Sequence, residues 1–186
     1  MRTSKYSSQL QVLSKRPLFT SAEAGTLGIP ARMLAHFFKQ GLIERLSRGV
    51  YRVKGVELDV DFEWEDLALT AMSIPQGVIC LISALCYYNM TDQIMREFWI
   101  AVPHSSKSPQ RLNTRIIRMR NISLGQIETR IGKYTLKIFD RERTVIDTFR
   151  YLSKEIAIKA LQSYLRSTKQ TKPDLKKLLA YAKELR

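Results

Sequence analysis

The chain has 186 residues, enough for one large or two small packed domains, and its 45% apolar content can build a core. Its 31 Lys and Arg against 17 Asp and Glu leave a formal charge of +14, which points to a polyanionic partner, nucleic acid ahead of an anionic membrane surface. A protein that is simply basic would carry the same excess, so charge alone does not choose. No apolar run nears the roughly 20 residues a membrane span needs, and MRTSKYSSQLQVLSKR is too polar for a secretory signal.

The elements follow in chain order. SSQLQVLSKR puts Leu10 and Leu13 on one helical face and stops at Pro17. LFTSAEAGTLG follows as a second helix, with Thr20 or Ser21 as N-cap, Glu23 in its first turn and Gly28 as its stop. IPARMLAHFFKQG is a third helix, with Pro30 at its start and Gly41 past its end. GLIERLSRGVYRVKG then alternates apolar and polar residues around Arg48-Gly49, the pattern of a β-hairpin. This order is that of a winged helix-turn-helix.

The charge is uneven. Up to Gly55 there are 10 Lys and Arg against Glu23 and Glu44, and then ELDVDFEWED places 6 acids in ten residues. The domain boundary is expected between Gly55 and Asp61, giving domains 1–57 and 58–186. The remainder reads as helices over FEWEDLALTAMSI and GVICLISALCYYNM, parted by Pro75-Gln76-Gly77. Strands follow over REFWIAVP and TRIIRMRNI, then a hairpin around Gly132. Helices over RERTVIDTFRYL, EIAIKALQSYLRS and KPDLKKLLAYAKELR close the chain. The fold class is α+β.

In the third helix Leu34, Phe37 and Phe38 should face the core with Leu42. Arg32, His36, Lys39 and Gln40, together with Ala31 and Ala35, then face outward, as a recognition helix offers itself to the major groove. Arg32 lies near the helix N-terminus and is the best candidate for base readout. In the hairpin Ile43, Leu46, Val50 and Val53 should form the buried side, leaving Arg45, Arg48, Arg52 and Lys54 around the tip for phosphates or an adjacent minor groove. Tyr51 is assigned to the core or to a mixed role. Lys5, Lys15 and Arg16 are weaker phosphate candidates. Ordinary solvated charges would give the same helix pattern; the cationic hairpin beside it favours DNA.

Catalytic chemistry finds little support. His36 and His104 are far apart, and no Gly-rich phosphate loop or Gly-x-Ser-x-Gly occurs. Cys80 and Cys86, six apart in an apolar stretch read as helix, are not spaced as metal ligands and read as buried small hydrophobes of a reducing cytoplasm. Asp140, Glu142 and Asp147 could hold Mg²⁺ in a nuclease. The simpler account has Asp140 capping a helix, Glu142 in its first turn and Arg143 paired with Asp147 at i, i+4. No cofactor or metal is expected. Lys107, Arg111, Arg115, Arg118 and Arg120, and Lys172, Lys176, Lys177 and Lys183, are either solvated faces or further anion contacts.

Three runs carry a family resemblance: LFTSAEAGTLGIPARMLAHFFKQGLIERLSRGVYRV, ISALCYYNM and LKIFDRERTVIDTF. Together, in this order, they resemble the AbiEi antitoxins of bacterial abortive-infection type IV toxin–antitoxin systems. The resemblance implies an N-terminal DNA-binding domain that represses its own operon at inverted repeats. It also implies a C-terminal antitoxin domain that counters a nucleotidyltransferase-type toxin. Where the family often has a His-Gly-Leu-like end to the middle helix, this chain has Tyr88-Asn89-Met90, and Asn89 can take the left-handed cap that Gly would fill. The expected protein is a cytoplasmic, non-enzymatic repressor and antitoxin without membrane contact. The rival readings are a module that masks a toxin by direct contact and a stand-alone winged-helix regulator.

Overall fold

A computed structural model describes residues 6–74, 76–106, 111–166 and 172–185. Lys5, Pro75 and Lys107, named above, lie outside the described residues. The described residues form two compact units, one of residues 6–74 with Arg111, the other of 76–106 and 112–185.

The first unit begins with α1 (Ser7–Ser14), β1 (Phe19–Thr20), α2 (Ser21–Thr26) and α3 (Ala31–Lys39), followed by β2 (Ile43–Ser47), β3 (Val50–Val53) and α4 (Phe62–Met72). Local chemistry sets the helix ends. Thr20 caps α2 in a full capping box, its hydroxyl accepting from Glu23 N–H while Glu23 accepts from Thr20 N–H at 2.7 Å. Gly28, at φ +82°, turns the chain into α3, and Gly41, at φ +69°, follows α3's cap. The strands form a sheet in the order β1-β3-β2, all antiparallel. Two residues of β1 are too few to show a period, so the sequence reading holds only Thr20's capping role there.

The core of this unit is Leu13, Phe19, Ala24, Ile29, Leu34, Phe37 and Ile43, with Tyr51 and Val53 against it. Tyr51 stacks on Phe19 with ring centroids 5.9 Å apart. Two expectations for α3 need correction. Phe38 is 50% exposed and Leu42 42% exposed. Leu34, Phe37 and half-buried Met33 already fill the inward arc, and Phe38 falls beyond it.

The compact unit ends after α4, so the acidic stretch sits inside it. Glu65 of α4 accepts a hydrogen bond from Arg52 of β3 at 3.1 Å, which ties α4 to the hairpin.

The second unit holds β4 (Val78–Ile79), α5 (Leu81–Tyr87), β5 (Phe98–Pro103), β6 (Thr114–Met119), β7 (Gln126–Ile131), β8 (Tyr134–Phe139), α6 (Arg141–Tyr151), α7 (Lys154–Leu165) and α8 (Leu175–Glu184). Its sheet runs β6-β5-β4-β8-β7. The apolar run read as one helix from Gly77 is split: Val78 and Ile79 form the central strand, where Ile79 pairs with Ile100 and Ile138. A short apolar run buried on both faces carries no periodicity to tell strand from helix. Cys80 is therefore α5's N-cap, fully buried, and Cys86 is half-buried. Asn89 takes φ +53° just past α5, as its cap role requires. Against one side of the core pack Ile82, Leu85, Met90, Val145, Ala160, Tyr164 and Leu178.

Candidate nucleic-acid interface

Arg32, His36 and Lys39 of α3 and Gln40 at its C-cap are all exposed; spacings of four and three residues put the first three on one face away from Leu34 and Phe37, and Gln40 lies four residues after His36. Ala31 and Ala35 are exposed beside them, with Phe38 adjoining. β2 packs against α3 and brings the hairpin to the helix.

The hairpin is fixed at its turn. Gly49 takes φ +77°, and its carbonyl accepts from Ser21 N–H at 2.9 Å, tying the turn to the start of α2. A Cβ on Gly49 would lie 3.3 Å from Ser21 Oγ, a close approach that the hydroxyl must yield to, and the positive φ is what favours glycine there. Glu23, in that same first turn, is held below the usual carboxylate range by Thr20 N–H, then by the Thr20 hydroxyl, with Arg16 adding at 2.9 Å.

Strand register separates the hairpin cations. Arg45 pairs across with Tyr51, and Glu44 with Arg52, so Arg45 and Arg52 leave opposite faces of the ribbon. A bulge between Arg45 and Ser47 lets Arg45 Nε donate to Ser47 O at 3.3 Å. Arg48 and Lys54 are exposed. Arg52 is not: its side chain is 16% exposed and sits between Glu65 and Glu44. Its Nε lies 3.4 Å from Glu44, close enough for charge pairing but out of line for a hydrogen bond.

The structure thus divides the eight candidate residues. Arg32, Lys39, Arg45, Arg48 and Lys54 have no carboxylate within 4.0 Å among the described residues, and His36 and Gln40 share the exposed α3 face. Arg52 has its charge balanced inside the unit. Arg16 is likewise paired, with Glu23.

One residue that composition could not assign joins this unit. Arg111 is half-buried, and its Nη2 donates to Ser47 Oγ at 2.9 Å and to Ser73 O at 2.8 Å. It braces the end of β2 from a position 64 residues away in sequence, with no local signal to announce it.

The carboxylates considered for metal binding are otherwise engaged. Asp140 caps α6 by accepting from Arg143 N–H at 2.8 Å, and its other oxygen receives Lys177 at 2.9 Å and the Tyr181 hydroxyl at 3.0 Å. Glu142 accepts from the Tyr164 hydroxyl at 2.7 Å and lies 3.2 Å from Lys177 Nζ. Arg143 and Asp147 pair at 2.7 Å, both almost fully buried. Lys177 is therefore a structural cation and not part of a solvated face. Its ammonium loses water, which lowers its pKa, but the hydrogen bonds and charge of Asp140 and then Glu142 outweigh that and raise it. Among the described residues no group of three or more His, Cys, Asp or Glu is placed to hold a metal, and no helix is long and apolar enough to cross a membrane.

Residues 8–54 match the AbiEi_4 family, described as transcriptional regulator, AbiEi antitoxin. The matched segment runs from α1 to β3 and contains every residue of the candidate interface. ISALCYYNM and LKIFDRERTVIDTF lie outside it. No curated protein matches the chain.

Proposed function

We propose that the AbiEi-like segment is a winged helix that binds operator DNA, and that the chain is an autorepressor and antitoxin of a type IV system countering a nucleotidyltransferase-type toxin. The order α1-β1-α2-α3-β2-β3, with β1 pairing beside the hairpin, supports the winged-helix reading. The observation that carries the DNA reading is the set of unbalanced cations on α3 and the hairpin, inside a segment similar to transcriptional regulators.

In this reading α3 enters the major groove. Arg32 reads guanine O6 and N7, and Gln40 reads adenine. His36 and Lys39 support these contacts from the same face, and exposed Phe38 offers an apolar surface to a thymine methyl. Arg45, Arg48 and Lys54 hold phosphates and set the register. The functional division is proposed at Gly55–Asp61, with 1–57 as the DNA-binding part and 58–186 as the antitoxin part, in the cytoplasm and without catalysis.

The test is binding of the full chain to the DNA upstream of its own gene, against random duplex, over a salt series. Preference for the upstream inverted repeats, with log K falling by about 0.9 per phosphate contact per decade of salt, is expected. Equal binding to both duplexes overturns the DNA reading. Rescue of growth when a neighbouring nucleotidyltransferase-like gene is co-expressed tests the antitoxin role.

A further inference from the structure

The second unit contains a pocket of about 360 Å³ lined by Arg118, Arg120, Arg143 and Arg150, with His104 and Tyr151. Glu184 is the one carboxylate on its wall among the described residues. The candidate interface above includes none of these residues.

Two of the arginines are fixed by one buried acid. Asp147 accepts from Arg143 Nε through one oxygen, at 2.7 Å, and from Arg150 Nη1 through the other, at 2.6 Å. Arg143 Nη1 is spent on the carbonyls of Asn121 and Leu124, at 2.9 and 3.1 Å. Arg143 Nη2 donates only to the Met119 sulfur, at 3.7 Å, among the described residues, and the guanidinium lies 4.6 Å from the Phe139 ring centroid. The sulfur is a soft acceptor for a guanidinium 1% exposed. Arg118 and Arg120 are exposed and have no carboxylate within 4.0 Å among the described residues. Tyr151 is 39% exposed, with the Arg150 guanidinium 5.1 Å from its ring centroid.

A concave site in which exposed Arg118 and Arg120 keep their forks open, beside two guanidinium groups held rigid by Asp147, suits a phosphate, because the planar fork of arginine matches two phosphate oxygens at once. Its size suits one small ligand. An accessible aromatic ring at the rim suits a base. We infer that this pocket binds the phosphate of a nucleotide, with Tyr151 against the base. A free nucleoside monophosphate and the 5′-phosphorylated end of a strand share this chemistry.

The experiment is calorimetric titration of the full chain with adenosine monophosphate, adenosine, inorganic phosphate, and hexathymidylate with and without a 5′-phosphate. Binding of the monophosphate with a Kd below about 1 mM, and none by adenosine, is expected. Arg118→Ala with Arg120→Ala should weaken binding about tenfold or more, with the melting curve unchanged. Tyr151→Leu should weaken the nucleotide and leave inorganic phosphate as before. Binding by the phosphorylated strand alone identifies a strand end as the source and supports the pocket. No binding by any phosphate compound, or equal binding by the double variant, overturns it. So does loss of operator affinity in the double variant without any monophosphate binding, since the arginines would then serve the duplex.

Discussion

Arg52 of β3 and Glu65 of α4, 13 residues apart, form a hydrogen-bonded ion pair at 3.1 Å that binds the hairpin to the helix after it. A cation of the hairpin motif is thereby turned inward, while Arg48 is exposed with no carboxylate within 4.0 Å among the described residues. Removing Arg52 leaves Glu65 and Glu44 without their counter-charge. Arg52→Ala should cost about 1–2 kcal/mol, more than an exposed pair and less than a fully buried one. Arg48→Ala should change stability by less than about 0.5 kcal/mol. Urea unfolding of both variants checks the contrast.

The same two variants separate stability from DNA contact. Arg48→Ala should weaken binding to all duplexes alike and flatten the salt slope by about 0.9. Arg32→Ala should instead narrow the gap between operator and random DNA, by about 1–3 kcal/mol. Competition binding at fixed salt distinguishes these outcomes. If Arg32→Ala weakens both duplexes equally, Arg32 is a phosphate contact.

Phe37 and Phe38 are neighbours with opposite environments, 1% and 50% exposed. Phe37→Ala should cost about 3–5 kcal/mol through the cavity it leaves. Phe38→Ala should cost less than about 1 kcal/mol. Denaturant midpoints measured on both give the comparison, and equal losses would contradict the packing of α3.

The Lys177 cluster has a pH signature. Tyr164 is raised by burial and then by its hydrogen bond to Glu142, and Lys177 is raised as described, from ordinary values of 10.0 and 10.5. Both keep their protons in the folded chain after the unfolded chain has released them, so the folded state binds more protons at high pH. Their contribution to stability is full below about pH 10 and declines as pH rises beyond it. Lys177→Met should lower stability at neutral pH by about 1–3 kcal/mol, because Asp140 and Glu142 lose a shared partner. It should also flatten the alkaline decline. Thermal melts from pH 7 to 11 test both.

Much of the first unit was legible because its signals are local. The Thr20 box, the glycines at 28, 41 and 49, and the Leu34–Phe37 face each lie within one turn of the residues they act on. The Asp140 cap and the Arg143–Asp147 pair were legible for the same reason. The exposure of Phe38 was not, since helical spacing gives the direction of a side chain but not the width of the arc its neighbours cover. The strand at Val78 was hidden because residues buried on both faces lose their alternation.

Composition and spacing alone thus determined a cationic helix–hairpin segment and the ends of its helices, because capping, turn geometry and amphipathic period act over a few residues. Which cations remain free was decided only in three dimensions. Arg52 is neutralised by Glu65, Lys177 by Asp140 and Glu142, and Arg111 is spent on Ser47 and Ser73. The Arg118, Arg120, Arg143 and Arg150 pocket likewise draws on β6, the segment after it and both ends of α6. A charge's partner is set by distance through space, and the chain order carries no record of that distance until the fold closes it.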